Sequence, residues 1–341
     1  MTEPRRMRIK TPVDLLALVP CLFGFHPEDS LVLVTDSAAR QPVNVRVDLP
    51  VDAEEIDDLA GHLADVVHRN GVRLVTVVLY TDDAALATTV FERLEARLRR
   101  VGVRVGEGVR ADGGRFWSLT GCTGPCCPAG GTPYDLSSHP FTAQAVLDGR
   151  VTLGSRRQLA DSLVGADPDA VEEVQAAADA AVARLTAAAR SPLGPPAPEA
   201  LRAYLVNEGH WVEHRVRRFL DDGAQPDTHD IGRLLVGLAQ VEVRDVAWST
   251  MDADTAERHV ELWRDVVRHS PHDLLAPPAA LLGFAAWLSG DGALAWCAVD
   301  RCQEAEPDYS LALLLTDALS GAVPPSSWTP VARNMLSLFA G

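Results

Sequence analysis

The hydrophobic pattern of this 341-residue chain changes period once, near Ser138, and that change constrains the architecture more than any other feature. Before it, strand-length apolar runs alternate with amphipathic helices. After it, nearly every segment repeats its apolar residues at helical spacing. The first part therefore reads as an α/β domain and the second as an all-α domain.

Within the first part, Thr11-Pro12-Val13-Asp14 carries the signals of a helix start, and Pro20 is expected to end that helix. Leu31–Val34 and the alternating Val43–Leu49 read as strands, and Asp52–Asn70 as an amphipathic helix. Leu74–Tyr80 is continuously apolar, as in a strand covered on both faces. Ala84–Arg100 is a second helix. Asp112-Gly113-Gly114 is a hairpin turn between strands Val101–Val109 and Arg115–Leu119. The expected result is a mixed sheet of about five strands with flanking helices, in which strands joined through helices run parallel. Ligands of such sheets gather beyond the carboxyl ends of the parallel strands.

The second part divides at Ser191-Pro192-Leu193-Gly194-Pro195-Pro196-Ala197-Pro198, a linker. The expected organisation is an α/β domain over 1–150, a helical connector and linker over 151–198, and an all-α domain over 199–341. Its helices fall near 199–222, 227–248, 253–269, 276–289, 291–305, 308–321 and 328–340. Over 276–309, Leu282-Gly283, Ala286, Ala295, Cys302 and Pro307 match the register of the tetratricopeptide repeat of about 34 residues. The domain is therefore expected to be a tetratricopeptide-like stack of helical hairpins, with an ordinary helical bundle as the alternative.

Charge narrows the partners. The net charge is −16, with −4 on residues 1–150 and −12 on the remainder. A phosphate backbone would be repelled, so nucleic acid is not an expected partner, and a protein partner on the acidic helical half is. No apolar run reaches the roughly 18 residues of a membrane span, and no secretory signal opens the chain, so a cytoplasmic location is expected. Cysteines of such a protein are expected to be thiols, and Cys21, Cys297 and Cys302 lie among apolar residues as small buried side chains.

Three stretches could carry chemistry. Cys122, Cys126 and Cys127 leave a strand into a Gly/Pro-rich loop. Thiolates in such a loop can bind zinc, with His139 or His26 as a further ligand, or act in redox chemistry, or simply pack. Gly24-Phe25-His26-Pro27-Glu28-Asp29-Ser30 gathers an imidazole, two carboxylates and a hydroxyl. His26, Asp29 and Ser30 are its candidate catalytic groups, with ordinary turn chemistry as the alternative. If the two loops meet over the sheet, Arg46 and Trp117 could orient or stack on a cofactor or substrate. Finally, His210-Trp211-Val212-Glu213-His214 matches a metalloprotease pattern, though a polar helix face explains it as well.

Leu15–Pro20 with Leu22-Phe23-Gly24-Phe25-His26-Pro27-Glu28-Asp29-Ser30-Leu31-Val32 resembles the opening of an actinobacterial family, domain of unknown function four-one-nine-two. Trp117-Ser118 with Cys126-Cys127-Pro128, Arg244-Asp245-Val246-Ala247-Trp248, Gly290–Ala295 and Pro307-Asp308-Tyr309-Ser310 agree with it. The resemblance implies a cytosolic protein and supplies no activity. The expected role is thus a ligand- or partner-binding protein with a Cys-loop site. The alternative is an enzyme whose site joins the His26–Asp29 and Cys122–Cys127 loops.

Overall fold

The computed structural model describes residues 9–35, 43–121, 128–147, 152–165, 167–189 and 198–339. The chain divides into two compact units, 1–158 and 159–341. Among the described residues no helix is long and apolar enough to cross a membrane.

The first unit opens with α1 (Pro12–Phe23). Thr11 and Asp14 form a reciprocal capping box at its start. The helix runs through Pro20 and stops at Gly24, whose φ of 74° lets its N–H return to the Pro20 carbonyl. The left-handed glycine, not the proline, is the terminator.

The sheet has six strands: β1 (Ser30–Thr35), β2 (Val45–Asp48), β3 (Leu74–Tyr80), β4 (Arg104–Ala111), β5 (Arg115–Ser118) and β6 (Thr132–Pro133). Their spatial order is β2-β1-β3-β4-β5-β6. Only β3 and β4 pair in parallel. β1 lies between β2 and β3, antiparallel to both. The strands flanking α2 (Ala53–Arg69) therefore point the same way, as expected of strands joined through a helix, with β1 inserted between them. The sixth strand is two residues long, too short for any periodicity to announce.

α2 and α3 (Ala84–Arg100) cover one face of the sheet. Leu31, Leu33, Val75, Val77 and Leu79 pack there with Ile56, Leu63, Val67, Val90, Phe91 and Leu94. Gly108 in β4 is needed at this contact, because a Cβ would sit 2.3 Å from the Phe91 ring. α4 (Pro140–Leu147) packs with α1. His139 Nε2 meets the Asp14 carboxylate at 3.1 Å, and its Nδ1 accepts the Phe141 amide. Both ring nitrogens are thus engaged within the fold.

α5 (Arg156–Asp161) carries the chain into the second unit. There follow α6 (Pro168–Ala189), α7 (Pro198–Asp222), α8 (Thr228–Leu238), α9 (Val241–Ser249) and α10 (Ala256–His269). α11 (Ala276–Leu288), α12 (Gly292–Ala305) and α13 (Ser310–Ser320) complete the set. The helix expected over 227–248 is two helices, because Gln240 turns to extended backbone and caps α9 with its carbonyl. α11 is buried on every side, as a helix apolar all round must be.

Among the described residues no α-helix forms over 328–339. The segment from Val323 to Phe339 is a strap with two 3₁₀ turns, at Pro325–Ser327 and Arg333–Met335. Trp328 stacks near Trp248 (4.9 Å) and meets Phe284 edge-on (4.8 Å), and its indole N–H reaches the Met251 carbonyl. Leu336 and Leu338 are buried. Gly209 admits the Leu338 side chain, which lies 2.4 Å from where a Cβ would be. The strap also accounts for the His-x-x-Glu-His pattern. Glu213 pairs with Arg333 at 2.9 Å and Arg217 at 3.0 Å, His210 packs edge-on against Phe339, and His214 is exposed. The pattern fastens the strap to α7.

Candidate functional site

A cleft of about 660 Å³ opens beyond the carboxyl ends of β3 and β4, within the first unit. Tyr80 and Ala111, the last residues of those parallel strands, form its floor. Past them the strands separate into the loops bearing Asp82 and Asp112. The crevice where parallel strands end is the usual ligand site of an open α/β sheet.

Four segments supply the walls. Leu16 and Pro20 come from α1, and His26–Asp29 from the loop after it. Thr81 and Asp82 follow β3, and Asp112 and Gly113 follow β4. Tyr134–Ser137 arrive through β6. The loops are held from behind. Arg110 Nη1 donates to the carbonyls of Thr81 and Asp82, each at 3.2 Å, while its guanidinium stacks on Trp117 at 3.6 Å. Asp29 carries a φ of 41°, uncommon for a residue with a side chain, and its carbonyl is tied to the Leu49 amide at 2.8 Å.

Among the described residues lining the cleft, one buried polar atom has no partner. Tyr80 is 8% exposed, yet its phenolic oxygen is buried with no hydrogen-bond partner. Burial, reinforced by nearby Tyr134, raises its pKa well above the ordinary tyrosine value, so it stays a neutral phenol. Tyr134 is also raised, by burial first and then by Asp112. For Asp112, partial burial opposes the charge, but the Gly114 and Arg115 amides and the Arg110 guanidinium outweigh it, and its carboxyl lies below the usual range. The Ser137 amide and hydroxyl lower Asp135 in the same way.

The candidate residues separate into three groups. His26 and Asp29 line the cleft. Ser30 does not: it is fully buried, donates to the Glu28 carbonyl and accepts from Arg46 Nε at 2.9 Å. Arg46 also pairs with Asp48 at 2.6 Å, so it braces the loop from the β2 side. Trp117 likewise lies outside the cleft lining, its indole N–H on the Ala129 carbonyl at 3.2 Å. Cys122, Cys126 and Cys127 lie outside the described residues. Among the described residues, no three His, Cys, Asp or Glu side chains converge as a metal site. Cys297 and Cys302 are buried, and burial pushes the Cys302 thiol up to about 12, while Cys21 is half-buried.

Tyr80, Asp82, Asp112 and Tyr134–Ser137 did not stand out in the sequence. The ends of two parallel strands could have pointed to Asp82 and Asp112. Nothing local points to Tyr134–Ser137, which reach the cleft only through β6.

Fold and cleft together define an α/β unit with a ligand-sized crevice at the carboxyl edge of its parallel strands, joined in one chain to an all-helical unit. A family model described as a domain of unknown function (DUF4192) matches residues 12–326, and the chain belongs to that family. No curated protein and no solved structure matches the chain.

Proposed function

We propose that this is a two-part binding protein, whose α/β unit holds a small polar molecule and whose helical unit engages a protein partner. The observation that carries the first half is Tyr80, which lines the cleft and whose buried hydroxyl has no partner. A buried polar group without a partner costs about 1–3 kcal/mol, which a ligand can recover. The cleft volume also falls within the range of small-molecule sites.

The second half rests on the helical hairpins. α11 packs on both α10 and α12, and Gly283 brings its backbone within 3.4 Å of the Ala295 carbonyl from where a Cβ would stand. These are the positions that match the tetratricopeptide pattern. The acidic charge of this half favours a basic protein partner.

An enzyme is the second reading, favoured by His26 and Asp29 facing the same cleft. In that case His26 would move a proton in a reaction on the bound molecule. Loss of turnover with retained binding in His26→Ala would mark catalysis.

Ser137→Trp tests the binding reading, because Ser137 is an exposed residue of the cleft wall and its replacement fills the opening without disturbing the core. Both proteins would be dialysed against a small-molecule cell extract and analysed by native mass spectrometry. The wild-type protein is expected to retain a small molecule that Ser137→Trp has lost, with equal melting temperatures. Equal retention by both proteins would contradict the reading.

A further inference from the structure

Resting on the proposed cleft, we infer that its ligand is a small organic cation: a primary amine or guanidine on a short apolar stem. Five carboxylates line the cleft, those of Glu28, Asp29, Asp82, Asp112 and Asp135, and among the described residues no lysine or arginine does. The Arg110 guanidinium, behind the cleft loops, is turned to the backbone carbonyls of Thr81 and Asp82. An anion would meet uncompensated like charge here, whereas a cation would relieve it.

The carboxylates differ in what they still offer. Asp112 is engaged by the amides of Gly114 and Arg115, and Asp135 by Ser137. These two are held in place by the fold. Glu28, Asp29 and Asp82 are exposed, with no ion-pair partner among the described residues. They are available to a ligand.

Tyr80 supplies the inner contact. Its phenolic oxygen is buried in the unliganded protein and is the one such atom without a partner among the described cleft residues; a turn of the side chain toward the cleft would let it accept an ammonium or guanidinium N–H. Tyr80 and Tyr134 both line the cleft, and aromatic rings of this kind attract organic cations. Leu16, Pro20 and Leu136 give the stem an apolar wall. A hydrated metal ion uses neither the aromatic faces nor this wall, and the carboxylates do not converge on one point.

The test is calorimetric titration of the full chain with agmatine and putrescine, alongside glutarate and magnesium chloride. Asp29→Asn and Asp82→Asn are combined in one variant. Asparagine tolerates the positive φ at position 29, so the double variant should fold, and an unchanged melting temperature without ligand would show that it has. At least one amine is expected to bind saturably, at least tenfold more weakly in the double variant and more weakly as salt rises. Glutarate is expected not to bind. Equal binding of glutarate, amine binding indifferent to the double substitution, or saturation by magnesium alone would overturn the proposal. So would no amine binding. If the amines fail while Ser137→Trp still loses a molecule from the extract, the cleft holds a ligand of other chemistry. If both fail, the binding reading falls as well.

Discussion

Arg244→Met is expected to destabilise the helical unit by about 3 kcal/mol. The guanidinium is 6% exposed and donates through Nε and Nη2 to Asp245 at 3.1 and 2.7 Å and through Nη1 to the Tyr309 hydroxyl at 3.2 Å. Burial alone would lower the Arg244 pKa, but Tyr309 and Asp245 outweigh it and hold the group charged. Methionine keeps most of the volume and strands both partners. Asp245 retains some contact with water, which places the loss at the lower end of the range for broken buried pairs. The contact ties α9 to the turn before α13, and so joins Arg244-Asp245-Val246-Ala247-Trp248 to Pro307-Asp308-Tyr309-Ser310. Two separate stretches of family resemblance thus meet in one interaction. Six of the seven tryptophans lie in the second unit, so urea unfolding followed by tryptophan emission reads its stability. A loss below about 0.5 kcal/mol would show that the cluster adds little to that stability. Arg244→Met combined with Asp245→Leu should recover part of the loss, since no carboxylate is then left unpaired.

The second large effect is acid sensitivity from His259. This residue is fully buried, touches the Thr250 carbonyl through Nε2 at 3.3 Å, and has no partner at Nδ1. Burial lowers its pKa to about 4, with Thr250 and Asp252 opposing. In the unfolded chain the imidazole titrates near about 6.5. Above that value both states are neutral and the residue contributes no pH dependence. As pH falls from 6.5 toward 4, the unfolded state takes up a proton that the folded state refuses, and stability drops. Below 4 both states are protonated and this contribution levels off. The full loss approaches about 3 kcal/mol. His259→Gln keeps a donor for the Thr250 carbonyl and removes the titration. Its stability between pH 7 and 4 should therefore fall by about 2–3 kcal/mol less than that of the wild-type protein. Parallel curves for the two proteins would contradict this account.

The sequence disclosed those parts of the fold that rest on long regular patterns. Leu74–Tyr80 and Ala84–Arg100 are bounded as their patterns require, because each presents a full apolar run or stripe to one core. Short or mixed signals failed. β6 has two residues and contains a proline, so no period exists to be read. The break at Gln240 carries no Gly or Pro, and the strap over Val323–Phe339 holds apolar residues at spacings a helix would also use. The site was half legible. The His26–Asp29 loop stood out because titratable groups rarely cluster before a strand. Tyr80 did not, because in a run of apolar residues a tyrosine reads as packing. Only the tertiary structure reveals that the residue lines a cleft while its buried hydroxyl is left without a partner. Arg46 and Ser30 looked chemical and prove to be partners of one another.

The central claim, that the cleft is built for a ligand, is tested most directly by Tyr80→Phe. Its melting temperature without ligand would be measured beside its affinity for whichever molecule the wild-type protein retains. Removing a hydroxyl that has no protein partner should leave the unliganded protein as stable or slightly more stable, while ligand affinity falls about tenfold. A destabilised unliganded protein with undiminished affinity would show that the hydroxyl serves the fold and not a ligand.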